Sequence, residues 1–176
     1  MADPLWENLG MKLRFWGDLA PLGSVLALLI FVADQAHKWW MFEIYDIEAR
    51  RPVSLTSFLD LTLVWNKGVS YGLLPTHSQG ILIGASLVIC AVLWIWLCRS
   101  HRPLTVAALG LVIGGALANA LDRYVHGAVA DFFQLHWNNW SWYVFNVADV
   151  AIVAGVALLL YESLLERGQA TGLGNA

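Results

Sequence analysis

Four long apolar runs, at about 20–41, 79–98, 104–125 and 144–162, constrain this chain more than any other feature. Each is close to the roughly 20 residues that a helix needs to cross the hydrocarbon core of a bilayer. Backbone in lipid must satisfy its own hydrogen bonds, so each run is expected to be a transmembrane helix. Composition agrees: 59% of the 176 residues are hydrophobic and 13% charged, with a mean hydropathy of +0.60. So little polar surface cannot cover a domain in water. The formal net charge of -3 argues against nucleic acid as a partner. The fold class expected is mainly α and integral to the membrane, with residues 1–176 forming one domain and membrane lipids as its surroundings.

An even number of spans puts both termini on one side. Arg99, His101 and Arg102 fill the tight link between the second and third runs, and Pro103 suits the first position of a helix, where an N–H needs no partner. Lys12, Arg14, Arg99, Arg102 and Arg167 would then lie inside, against Arg50, Arg51 and Lys67 outside, which favours cytoplasmic termini. Lys12 and Arg14 ahead of an apolar run resemble a signal peptide. The run is long and lacks a small-x-small cleavage site, so it is read as an uncleaved first span. Residues of about 42–76 form the one sizeable segment outside the membrane. Ser54–Thr56 and Leu61–Trp65 alternate or run β-branched and aromatic there, predicting a small extracytoplasmic β-sheet. The Gly-rich tail, about 167–176, is expected to be flexible.

Ionisable groups in or beside an apolar span cost several kcal/mol unless paired or wetted. Asp34, Lys38, Asp122, Arg123, Asp131 and Asp149 are those groups. At about 1.5 Å of rise per residue, all six fall toward the outer face, as does Asn66. Asp34 and Lys38 stand four apart, so they are either a self-neutralising helical ion pair or part of a site. Asp122 and Arg123 point different ways and each needs a partner elsewhere. Asp131 and Asp149 have no basic neighbour in sequence. Two carboxylates in a site of low dielectric cannot both ionise, so one keeps a proton while the other can draw a proton from water. That chemistry can hydrolyse a peptide bond with no metal or other cofactor. Cys90 and Cys98 lie in one apolar run, as small hydrophobes do. His37, His77, His101, His126 and His136 show neither zinc-ligand nor nucleophile-elbow spacing.

Four blocks carry a resemblance. They are Asp34-Gln35-Ala36-His37-Lys38; Asn66-Lys67-Gly68-Val69-Ser70-Tyr71-Gly72; Gly114 to Arg123 leading to Gly127-Ala128-Val129-Ala130-Asp131-Phe132; and Phe145-Asn146-Val147-Ala148-Asp149. In order and over essentially the whole chain, they resemble the lipoprotein signal peptidase (signal peptidase II) family of bacterial inner-membrane aspartic peptidases. The resemblance implies removal of the signal peptide from diacylglyceryl-modified prolipoproteins, on the N-terminal side of the lipidated cysteine. It implies that Asp131 and Asp149 are the catalytic pair, and that Asn119, Arg123 and Asn146 line the site. It leaves Asn66, Asp34, Lys38 and Asp122 as supporting residues. A globomycin-type inhibitor should block the reaction, the site should face the periplasm, and the chain is expected to act as a monomer. Ala118, and Ser70-Tyr71, depart from the commoner Gly and Ala-Phe of the family. An ion-coupled transporter and a non-catalytic assembly subunit are the rival readings. The first would need polar residues along a path across the membrane, and the second would tolerate Asp131→Asn or Asp149→Asn.

Overall fold

The computed structural model describes residues 16–68, 79–138 and 140–172, with side chains through Glu166. Lys12, Arg14, Ser70, Tyr71, His77, Arg167 (as a side chain) and the tail after Gly172 lie outside the described residues. Helix α1 spans Ala20–Trp39 and continues as a π-helical turn, Trp40–Ile44. A single turn, α2 (Ile47–Arg50), leads to strands β1 (Val53–Ser54) and β2 (Leu59–Asn66). Helices α3 (Gln79–Arg99) and α4 (Pro103–His126) follow, then β3 (Val129–Trp137), β4 (Trp140–Phe145) and α5 (Val147–Gly172). Four of the helical segments are long and apolar enough to cross a membrane.

Helix α4 is the central post, packed against α1, α3 and α5. It carries the small residues that this requires. A Cβ on Gly114 would sit 2.4 Å from the Ala27 carbonyl oxygen of α1, and one on Gly110 2.7 Å from that of Gly23. On the other side, a Cβ on Gly115 would lie 2.5 Å from the Ala148 carbonyl of α5. Without a hydrophobic drive between helices in lipid, such close backbone approach is what holds them together. Pro103 opens α4, and Gly127, at φ 69°, closes it by donating its N–H to the Arg123 carbonyl at 3.0 Å.

The strands form one antiparallel sheet in the order β1-β2-β3-β4. Only two of them come from the 42–76 segment. The other two follow the third apolar run, and β4 takes residues 144 and 145 from the start of the fourth, which was expected to be helical throughout. The first four residues of β3 are buried on both faces, so they show no alternation to betray a strand. The fourth long helix therefore begins at Val147, and it runs to Gly172, into the segment expected to be a flexible tail. Under the sheet, Met41, Ile47, Leu61, Leu63, Ala130 and Phe132 form a core separate from the one between the helices. His37 stacks on Phe133 and meets Phe132 edge-on.

Adding bulk at the α1–α4 seam should be costly. Gly114→Val is expected to destabilise the protein by about 1–3 kcal/mol through overpacking. Gly84→Ala, where an added Cβ meets nothing within 4 Å, should leave thermal unfolding in detergent unchanged. Equal unfolding temperatures for both variants would contradict the seam.

Candidate active site

Three side chains from two helices meet beneath the sheet. Lys38 Nζ lies 2.6 Å from Asp34 Oδ2, one turn earlier in α1, and 2.6 Å from Asp122 Oδ2 of α4. All three are buried. The pairing open in the sequence reading is thus both local and long-range. Each carboxylate has further donors: Asp34 Oδ1 accepts the Ala148 N–H at 2.9 Å, and Asp122 Oδ2 accepts the Ala130 N–H at 3.2 Å. Gln35, which sequence reasoning passed over, donates to Asp122 Oδ1 at 3.0 Å.

Asp131 and Asp149 follow directly after those two alanines. Asn146 links them. Its Nδ2 donates to Asp131 Oδ1 at 2.7 Å and to Asn119 Oδ1 at 3.1 Å, while Asn119 Nδ2 donates to Asp149 Oδ1 at 2.9 Å. Asn146 also caps α5: its Oδ1 accepts the Asp149 N–H at 3.0 Å, and its own N–H donates to Asp149 Oδ2 at 3.2 Å. This is a reciprocal capping box. The Asn146-Val147-Ala148-Asp149 spacing signals it in the sequence, and it sets Asp149 in the first turn of α5. Asn66, from β2, donates to Asp131 Oδ2 at 3.1 Å.

Arg123 lies in the field of Asp149, Asp131 and Asp122, in that order of strength. Those charges include two on other segments, but among the described residues no hydrogen bond joins Arg123 to them. Its Nη1 donates to the Asn119 carbonyl of its own helix at 3.3 Å, and its buried Nε has no hydrogen-bond partner there. A groove of about 600 Å³ reaches Asp149 between Asn66, Trp142, Tyr143 and the Val150–Val153 face of α5. Another cavity, of about 580 Å³, lies at the far end of the bundle, where Thr105 is bonded to Glu162 and Arg102 to Glu166. No group of three or more His, Cys, Asp and Glu among the described residues is arranged to hold a metal.

The two carboxylates differ in surroundings. Asp131 is 1% exposed and Asp149 half-buried. Burial, and then the charge of Asp149, push the Asp131 carboxyl up to about 6, against hydrogen bonds from Asn66 and Asn146 and the more distant Lys38, which favour the ionised form. A carboxyl held this way can keep a proton beside a second carboxylate that has lost its own. Together they can polarise a carbonyl and deprotonate a water.

Fold and site thus define a membrane protein with four long apolar helices and two aspartates joined through Asn146 and Asn119 where a small sheet meets the bundle. The family profile described as signal peptidase (SPase) II matches residues 26–165. The lipoprotein signal peptidase of Methylocella silvestris is 50% identical over 155 residues, 86% of this chain and 91% of its own. That of Beijerinckia indica is 50% identical over 145 residues, 81% of this chain and 87% of its own. Two solved structures of a bacterial membrane enzyme share the fold with a TM-score of 0.73 at 22% identity; one covers 85% of this chain and 91% of its own, the other 88% and 98%. This chain belongs to the signal peptidase II family of aspartic proteases.

Because the native proton affinity of Asp131 is raised, the stability linked to its protonated form is full below about 3.8 and is lost as pH rises through about 6. Asp131→Asn cannot ionise. Its unfolding temperature relative to the parent should therefore climb by about 5–10 °C between pH 4 and pH 7, at roughly 2–4 °C per kcal/mol. A pH-independent difference would mean that the carboxyl carries no such penalty.

Proposed function

We propose that this chain is a single-domain membrane endopeptidase that removes the signal peptide from diacylglyceryl-modified prolipoproteins. Cleavage falls on the N-terminal side of the lipidated cysteine, with Asp131 and Asp149 as the catalytic pair. The observation that carries the reading is the chain of hydrogen bonds from Asp131 through Asn146 and Asn119 to Asp149, which ties the two carboxylates into one unit. In this reading Asp131, the more buried, holds the shared proton, and Asp149, which borders the groove, takes a proton from water.

The steps balance. Water oxygen bonds to the carbonyl carbon of the residue before the cysteine as its proton passes to Asp149 and the proton of Asp131 passes to the carbonyl oxygen. The resulting gem-diol breaks its C–N bond. Asp149 returns its proton to the cysteine amine, and Asp131 recovers its own from the new acid. The Nε of Arg123, without a hydrogen-bond partner among the described residues, suits a substrate carbonyl, which its rigid fork can orient. Asn66 fixes the outer oxygen of Asp131. No cofactor enters these steps.

The reading sets both termini in the cytoplasm and the pair at the periplasmic face of a bacterial inner membrane. The signal helix enters from lipid, and the diacylglyceryl chains stay in the outer leaflet. The groove beside Asp149 is largely apolar, lined by Val150, Val153 and Ala154, and suits such a lipid-borne substrate. The chain acts as a monomer, and a globomycin-type inhibitor competes for the same site.

Purified in detergent, the protein should convert a diacylglyceryl-modified prolipoprotein to a product whose new N-terminus, by mass spectrometry, is the lipidated cysteine. Asp131→Asn and Asp149→Asn should each lower the rate at least ~1000-fold with the fold retained. That loss is the scale seen when one member of a catalytic unit is removed. Cleavage persisting in either variant would overturn the assignment of the pair.

A further inference from the structure

We infer that Lys38 is a positioning residue: its ammonium bridges two carboxylates, each of which grips the backbone amide just before one member of the aspartate pair, and so sets the spacing of Asp131 and Asp149. The inference rests on the proposed role of that pair. On one arm, Lys38 Nζ meets Asp34 at 2.6 Å, and Asp34 holds the Ala148 N–H at 2.9 Å, next to Asp149. On the other, Lys38 Nζ meets Asp122 at 2.6 Å, and Asp122 holds the Ala130 N–H at 3.2 Å, next to Asp131. One arm fixes the first turn of α5 and the other the first residues of β3. The two elements reach the site from different parts of the fold, and the ammonium is their common reference point.

A bridge that served only to join α1 to α4 would be redundant. Those helices already meet through backbone at Gly110 and Gly114, too closely to admit a Cβ. Nor would joining them require the carboxylates to spend their remaining oxygen capacity on Ala148 and Ala130. At 0%, 5% and 3% exposure, Asp34, Lys38 and Asp122 sit where charges interact with little screening. Take away the ammonium and the two carboxylates repel or take up a proton. Either change releases the amides that they hold, and a displacement of about 1 Å at a reacting group is enough to cost ~100-fold in rate.

The test compares the parent, Asp131→Asn, Lys38→Met and Lys38→Arg in one detergent, with a diacylglyceryl-modified prolipoprotein as substrate. A parent that fails to cleave, or an active Asp131→Asn, defeats the peptidase reading itself. With that control passed, folded Lys38→Met is expected to lose about 100-fold in kcat with KM within about threefold. The two limbs of its pH–rate profile should draw together as the pair uncouples. Lys38→Arg, which keeps the charge in a different shape, should recover part of the rate and of the limb separation. Should Lys38→Met not fold, the triple variant Asp34→Asn, Lys38→Met, Asp122→Asn keeps oxygens that can accept from Ala148 and Ala130 without the buried charges, and the same readouts apply. Parental kcat, or a reduced kcat with parental limbs, overturns the inference. So does failure of both variants to fold, which would assign the bridge to stability alone.

Discussion

An ion inside a bilayer-spanning bundle has to find its counter-charge within the protein, because leaving water costs several kcal/mol per ion. The Asp34–Lys38–Asp122 cluster meets that demand and carries one negative charge in excess. The excess is absorbed by dipoles: the Ala148 and Ala130 amides and the Gln35 amide all donate to the two carboxylates. Helices α1, α4 and α5 and strand β3 are therefore drawn to one point. The cluster could not be satisfied if any of them stood elsewhere, and the aspartate pair is built on the residues next in line.

Within the pair, two identical side chains stand in different surroundings. Asp131 stands on a strand with both faces covered, so its charge is poorly solvated and its proton affinity is raised. Asp149 stands in the first turn of α5, where its carboxylate accepts from the Asn119 side chain and the Asn146 N–H. Asn146 serves both, capping the helix with its oxygen and donating to Asp131 with its nitrogen. The proposed division into acid and base rests on this difference in surroundings.

Most of the helical architecture was legible because a span is a long, local signal. The runs ending near Ile44, Arg99 and His126 needed nothing but hydropathy. The β3–β4 hairpin was not legible. Val129–Phe132 is buried on both faces, and Val144-Phe145 reads as the opening of the apolar run that follows. The capping spacing from Asn146 to Asp149 would have moved that start to Val147, since an N-cap residue marks a boundary that hydropathy alone cannot. For the candidate site, charge in an apolar setting singled out carboxylates that the structure brings into two linked clusters, and the family blocks added the asparagines. Their connections stayed hidden: the bond from Ala148 to Asp34 joins residues 114 apart, and no local pattern encodes it. Arg123 was expected to reach another segment, yet its described hydrogen bond returns to its own helix.

The central claim is that Asp131 and Asp149 share one poorly solvated site. The most direct measurement is a carbon-13 NMR titration of the Asp131 carboxyl in detergent, in the parent and in Asp149→Asn. The account predicts a midpoint of about 6 in the parent and a lower one once the neighbouring charge is removed. An Asp131 that titrates in the ordinary carboxylate range near 4, at the same pH in both proteins, would contradict it.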